Sequence, residues 1–282
     1  MTKKNKKKLN LVLSYLLIIV IGCALLFPIA WMISAAFKTN DEIFGSIQLL
    51  PNTFSFENFI LGWKSAGQYT YATYFLNSFL MVIPTTLLTL ASCSLVAYGF
   101  ARFNFPFKNQ LFALLIATLM LPNSVIIIPR YVLFNKLGWL DSYLPFWAPA
   151  LLACYPFFVF QMVQFMRGIP RDLDESACID GCGTFRIFWQ ILLPLMKPAL
   201  FSAALFQFLW TYNDYFNSLI YINSVSKYTV SLALRLSVDA ESVVVWGRVM
   251  AMAFVAVLPL ILLFFAAQKY FVEGIATSGL KG

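Results

Sequence analysis

The chain has 282 residues, of which 61% are apolar and 11% charged, with a formal charge of +8 and no histidine. Soluble domains carry about 45–50% apolar and about 25% charged residues and keep a large polar surface, so this composition calls for a bilayer. Without histidine the commonest metal ligand and general base is missing, and the basic residues sit at the ends of apolar runs, a sign of membrane orientation rather than nucleic-acid binding.

The first element opens on the basic stretch KKNKKK and runs through 29 uncharged residues between Lys8 and Lys38. It predicts a transmembrane helix over 11–34. Its apolar stretch is about twice the 7–15 residues of a signal-peptide core, so an uncleaved anchor is expected despite the small residues Ser34, Ala35 and Ala36. Between Lys64 and Arg102 lie 37 uncharged residues that begin with the polar GQYTYATY, which moves the second span to 76–100. Lys108 to Arg130 encloses 21 residues and Asp141 to Arg167 encloses 25, predicting spans over 110–132 and 144–166. Lys197 to Lys227 encloses 29 residues with the single charge Asp214, and Arg248 to Lys269 encloses 20, predicting spans over 199–222 and 249–269. About 20 residues cross about 30 Å of hydrocarbon as a helix, whereas barrel strands are about ten residues with alternating polarity. The expected fold is an all-α membrane protein with six transmembrane helices.

With the N-terminus cytoplasmic, 13 Lys and Arg lie inside and 7 outside, Arg130 among the latter, which favours both termini on the cytoplasmic side. The expected organisation is a basic tail (1–10), a first helix with an extracellular loop (11–71), a five-helix core (72–269) with a cytoplasmic loop at 167–198, and a tail (270–282). Pro28, Pro84, Pro122, Pro156 and Pro259 fall within the spans. Membrane helices tolerate proline because neighbours satisfy the freed carbonyls, so these residues serve either packing or helices bent around a pathway. Cys23, Cys93, Cys154, Cys178 and Cys182 are scattered, and no histidine completes a zinc site around the last two. They read as small apolar fillers.

The long cytoplasmic loop reads GIPRDLDESACIDGCGTFRIFWQILLPLMKPAL. Asp172 and Glu175 have the spacing of a capping box, with Pro170 just ahead, and predict a helix from Leu173 to Asp180. Gly181 and Gly183 stop it, since glycine reaches the left-handed conformation cheaply. Thr184 then caps a second, apolar helix that ends at Pro194. Ala177 and Gly181 are small and four residues apart, so this surface serves either close approach by another protein's helices or packing on the chain's own bundle.

Glu175, Ser176, Ala177, Gly181, Ile191, Leu193 and Pro194 resemble the EAA motif of ABC importer permeases: E-A-A, three residues, G, nine residues, I-x-L-P. Ser176 is the only departure. The chain as a whole resembles the MalG-like permeases of binding-protein-dependent sugar importers. That likeness rests on NSF at 77–79, AYGFARFNFP at 97–106, LPNSVIIIPRYVLFNKLGWLDSY at 121–143, WTYNDYF at 210–216 and the ending FVEGIATSGLKG. It implies a type I importer fold, a second homologous permease as heterodimer partner, two ATPase subunits docked on the loop around Glu175, Asp180 and Gly181, and an extracellular sugar-binding protein. It also implies a C-terminal tail that reaches the ATPase interface.

No lysine here belongs to a phosphate-binding loop: Lys38-Thr39 and Lys64-Ser65 are the only Lys-Thr/Ser pairs, and neither follows glycine. The chain is therefore expected to be no enzyme and to bind no cofactor, with ATP used by a partner. An intramembrane hydrolase would need a nucleophile with a base, or paired carboxylates, at one depth. An ion-coupled secondary transporter would need more buried carboxylates or broken helices. Asp214 is the single acid at depth, where a charge costs at least about 2.5–3.5 kcal/mol and normally faces a protein interior or water. At helical spacing it shares a face with Gln207, Trp210, Thr211, Asn217, Ser218 and Tyr221, beside Asn213. Amides, hydroxyls and an indole suit a polyol pathway. The same groups also suit hydrogen bonds that hold helices together.

Overall fold

A computed structural model describes residues 3–64, 68–239 and 244–279, and every regular element among them longer than an isolated bridge is helical. In chain order these are α1 (Lys3–Ala35), α2 (Asn40–Gly45), α3 (Glu57–Lys64), α4 (Tyr71–Arg102), α5 (Lys108–Thr118), α6 (Asn123–Lys136), α7 (Leu144–Leu151) and α8 (Pro156–Arg167). The loop region holds α9 (Asp172–Ile179), α10 (Thr184–Ile187), a π-helical turn (Phe188–Leu192) and α11 (Leu193–Leu195). Then come α12 (Lys197–Tyr212), α13 (Tyr215–Tyr221), a 3₁₀ turn (Val225–Lys227), α14 (Val230–Asp239) and α15 (Trp246–Gly279). Composition alone would leave the tail frayed, yet α15 continues to Gly279; Lys281 lies outside the described residues.

Among the described residues, four helices are long and apolar enough to cross a membrane, Asn10–Ala35, Tyr71–Arg102, Leu144–Arg167 and Trp246–Ala266, and the spans number up to six if each of two bent helix pairs counts as one. The expected third span is not one straight helix. α5 and α6 meet at 103°. Proline disfavours the helical region for the residue before it, and Pro122 itself is extended (ψ 142°), so the chain turns at Leu121–Pro122. The fifth expected span is broken too. α12 ends at Tyr212, and Asp214 adopts a non-helical conformation with its carboxylate accepting from the Asn217 N–H at 3.1 Å, starting α13 as a cap. Upstream, the segment Thr184–Leu195 meets α12 at 75°.

The chain divides into two units, Met1–Tyr71 with Leu234–Leu258, and Ala72–Ala233 with Pro259–Gly282. In the first unit, the apolar window of α1 has none of its surface buried, and a helix apolar all round belongs in lipid. The segment after α1 is held by Asn58, whose Nδ2 donates to the carbonyls of Ala36 and Lys38 at 3.0 Å each. Asn40 pins the start of α15: its Oδ1 accepts from Trp246 N at 2.9 Å and its Nδ2 donates to Val244 O at 2.7 Å.

In the second unit, α4 buries Thr85 and Thr89, whose hydroxyls donate to the carbonyls of Met81 and Thr85 at 2.6 and 2.8 Å. Such back-bonding removes the cost of hydroxyls in an apolar core. Two side-chain clusters flank these threonines. One gathers Tyr98, Phe158, Met162, Phe188 and Leu192 near the long loop. The other gathers Met81, Phe134, Phe146, Tyr212 and Tyr221. Beyond the second cluster Asp141, at φ 53°, clasps the segment after α13. Its carboxylate accepts from Ser224 N (2.8 Å), Ser224 Oγ (2.6 Å) and Asn223 N (3.1 Å), and pairs with Lys227 at 2.9 Å. Asn77 Nδ2 donates to the carbonyls of Ser226 and Tyr228, and Ser78 Oγ accepts from Val230 N. The NSF and LGWLDSY motifs thus share one structural task.

Candidate functional site

The cytoplasmic loop is built on an inward and an outward face of α9. Ala177 turns inward and is buried in the cluster around Phe188, so of the pair Ala177 and Gly181 only Gly181 lies at the surface. Asp174 is inward as well. Its Oδ2 lies 2.6 Å from Arg102 Nε, with the two side chains 19% and 7% exposed. That contact is ionic rather than an aligned hydrogen bond, and Asp174 Oδ1 has no hydrogen-bond partner among the described residues. Arg102 also donates to the Ile169 carbonyl at 3.0 Å, and Tyr98 donates to the Thr184 carbonyl at 3.0 Å. The end of α4 thereby holds the loop on both sides of α9, at Ile169 and Thr184. Glu175, Ser176 and Asp180 face outward with Ile179, which is 87% exposed.

The expected capping box is not formed. α9 starts at Asp172 itself, after Arg171 in the helical region, and no side chain caps it. Its first turn still carries Asp172, Asp174 and Glu175, which complement the positive end of the helix dipole. At the other end Gly181 stands at φ +79°, with Cys182 N donating to Ala177 O at 2.9 Å and Gly181 N to Cys178 O at 3.0 Å. This is a Schellman turn, which requires the left-handed residue. Gly183 is not left-handed. It, rather than Thr184, occupies the cap position of α10. The helical run does not end at Pro194 but passes through the π-turn and α11 to Leu195. Ile191 and Leu193 pack half-buried against the Phe188 cluster while Pro194 is exposed, so each half of the motif combines packed residues (Ala177, Ile191, Leu193) with exposed ones (Glu175, Ser176, Gly181, Pro194).

The second candidate site is a cavity of about 470 Å³ between α6, α7, α8 and α13. Of the sequence-derived candidates it gathers Asp214, Asn217 and Tyr221. Asn217 Nδ2 donates to both carboxylate oxygens of Asp214, at 3.0 and 2.8 Å, leaving the buried Asn217 Oδ1 without a partner among the described residues. The break after Tyr212 separates the others from that face. Gln207 donates to Thr211 at 2.9 Å within the protein, and Asn213 is exposed. Trp210 packs against Phe157 and Phe158 with its ring tilted by 55° and 45° to theirs, and Ser218 is fully buried. Sequence reasoning missed Asn123, Arg130 and Tyr155, which line the same cavity. Arg130 lies inside α6 rather than in an outer loop, and the signal was the turn-forming Pro122 ahead of it, which shifts the helix relative to the apolar window. A cation, a carboxylate, amides and ring faces in a cavity of this size match the general make-up of a small-molecule site.

Residues 91–277, which include both sites, match the family model described as binding-protein-dependent transport system inner membrane component. The chain belongs to this family. It is a multi-pass permease of the cell membrane and a component of an importer served by a separate binding protein. This permease is 32% identical to the arabinooligosaccharides transport system permease protein AraQ of Halalkalibacterium halodurans, over 98% of the chain and 100% of the relative. It is 28% identical to the trehalose/maltose transport system permease protein MalG of Thermococcus litoralis over the full length of both. Its fold matches a chain from the crystal structure of a bacterial ABC transporter involved in the import of the acidic polysaccharide alginate. The TM-score is 0.81 at 18% identity, with 96% of this permease and 99% of that chain covered.

Proposed function

We propose that this permease is one of two homologous membrane subunits of an ATP-driven importer for a sugar or oligosaccharide. Two ATPase subunits engage the loop around Glu175, Ser176, Asp180 and Gly181, and an extracellular binding protein delivers the substrate. The observation that carries the coupling role is the exposed outer face of α9 set on a rigid base: Ile179 and three polar side chains outside, the Arg102–Asp174 pair and Ala177 inside. A loop fastened this way transmits a push from a partner to α4 rather than absorbing it. The work is useful only if the two permease states differ in their contacts with the ATPase, and α9 supplies that difference. The relatives' names support a carbohydrate substrate, and the cavity around Asp214, Asn217 and Arg130 is the proposed passage, alternately open to either side.

The test is copurification of the tagged permease from mild detergent, scored for bound ATPase. Wild type is expected to bring down the ATPase and Gly181→Asp to lose it, with Gly181→Asn as the uncharged substitution that tolerates the same backbone. A wild-type permease that comes out alone sinks the ATP-driven reading and brings ion-coupled transport forward. Uptake of labelled arabinose and glucose oligosaccharides by the assembled transporter then tests the substrate class, with Asn217→Ala expected to slow uptake while ATPase binding persists.

A further inference from the structure

A second cavity, of about 370 Å³, opens where α4 and α8 end and α5 begins on the cytoplasmic side. Four of its lining residues are basic (Arg102, Lys108, Arg167 and Arg171), and none is acidic. Arg102 is committed to Asp174 and Ile169. The other three keep donors free. Arg171 uses one Nη2 bond to Ala101 O at 3.4 Å, and Lys108 one bond to Phe103 O at 2.7 Å. The Arg167 guanidinium lies 4.8 Å from the centre of the Phe112 ring. This cation–π contact holds the guanidinium at the cavity without using its N–H donors. α5 begins at this cavity with no side-chain cap, since Phe107 precedes it at φ 60° and carries no polar group. An uncapped helix start adds positive potential at the place where the basic groups converge.

The surroundings indicate where the anion comes from. α5 buries none of its residues. From Phe107, 73% exposed beside the cavity, a row of exposed apolar side chains continues through Leu111 and Leu114. At spacings of four and three these stack on one helix face, leading from the basic cavity toward the hydrocarbon. We propose that this cavity binds a phosphate-bearing anion, the headgroup of an acidic phospholipid whose acyl chains lie along Phe107, Leu111 and Leu114. Arg167 and Arg171 supply forked donors and Lys108 a point charge. Because Arg102 and Arg171 also hold the loop that starts at α9, the bound lipid braces the base of that loop. The site lies apart from the Asp214 cavity and does not depend on what the permease transports.

The experiment uses the full-length permease purified into nanodiscs of phosphatidylcholine with phosphatidylglycerol, followed by native mass spectrometry of retained lipid. Wild type is expected to retain phosphatidylglycerol in preference to phosphatidylcholine. Arg167→Gln with Arg171→Gln should weaken retention roughly 10- to 30-fold, from two lost basic groups at a lipid surface. Arg167→Lys with Arg171→Lys keeps the charge and guards against misfolding; it should give an intermediate loss. Lys6→Gln with Lys7→Gln removes equal charge elsewhere and should change retention little. In a second arm, inorganic phosphate is added to wild-type protein that has retained phosphatidylglycerol. Displacement of phosphatidylglycerol by millimolar phosphate would identify the phosphate group as the recognised element, and no displacement would assign recognition to the whole lipid; both keep the site. Equal retention of the two lipids by wild type, or equal loss in the two Gln pairs, overturns the proposal. So does normal lipid retention in Arg167→Gln/Arg171→Gln.

Discussion

Removing Asp174 is the sharpest test of the idea that the loop is held by α4. The Arg102 side chain is 7% exposed and Asp174 19%, so Asp174→Ala leaves a guanidinium nearly out of water without its counter-ion. Breaking a buried pair from one side costs about 3–5 kcal/mol. Arg102 keeps its bond to Ile169 O at 3.0 Å, and the site of Asp174 admits some water, so about 2–3 kcal/mol is expected here. That cost falls on docking of the loop rather than on the apolar core, and corresponds to roughly 30- to 150-fold more frequent opening of α9. Hydrogen exchange of the purified permease, followed over peptides covering 172–182, reads it directly. Asp172→Ala, on the exposed start of the same helix, is the control and should stay within about 0.5 kcal/mol of wild type. Arg102→Met with Asp174→Leu removes both charges and should bring exchange back toward wild type, because apolar pairs often replace buried ion pairs without loss. If Asp174→Ala exchanges like Asp172→Ala, the anchoring argument is wrong.

Three further outcomes follow from local geometry. Gly181→Ala meets no atom within 4 Å but must hold φ +79°, so it should cost about 1–2 kcal/mol by conformation alone, seen as a lower melting temperature. Gly247→Ala places a Cβ against Asn58 and the Lys38 carbonyl, a backbone contact that cannot yield, and should lower stability by about 1–3 kcal/mol in the same assay, more than Gly22→Ala in open space corrected for helix propensity. Burial acts to raise the Asp141 pKa, but hydrogen bonds from Ser224 and Lys227, with the N–H groups of Ser224 and Asn223, outweigh it and hold the carboxyl well below the usual carboxylate range. A depressed folded-state pKa contributes stability that is present above the unfolded value of about 3.9 and lost as pH falls below it. Wild type should therefore lose more thermal stability between pH 5 and about 3 than Asp141→Asn, and equal slopes would refute the clasp.

The amino-acid order carried the membrane setting, because a run of some twenty uncharged apolar residues has no other comfortable solvent. α1, α4, α7–α8 and α15 appear where the uncharged windows lie. It also carried Gly181 as the stop of the loop helix, since a left-handed residue after an apolar turn leaves few choices but glycine. What it could not carry is whether a window is one helix or two. The turn at Pro122 and the break at Asp214 depend on which neighbours accept the freed backbone groups, and a charge-free window looks the same either way. The partition of α9 was equally hidden. Asp172, Asp174 and Glu175 are alike in a string, and only packing decides that Asp174 meets Arg102, 72 residues earlier in the chain, while Glu175 faces out. The same holds for the Asp214 cavity. Helical spacing joined Gln207, Trp210 and Asp214 on one face, but a cap formed by a single carboxylate breaks that face and gives Asp214 new neighbours from α6 and α8. Long-range partners are chosen by three-dimensional fit, and a one-dimensional period records only the neighbours a straight helix would have.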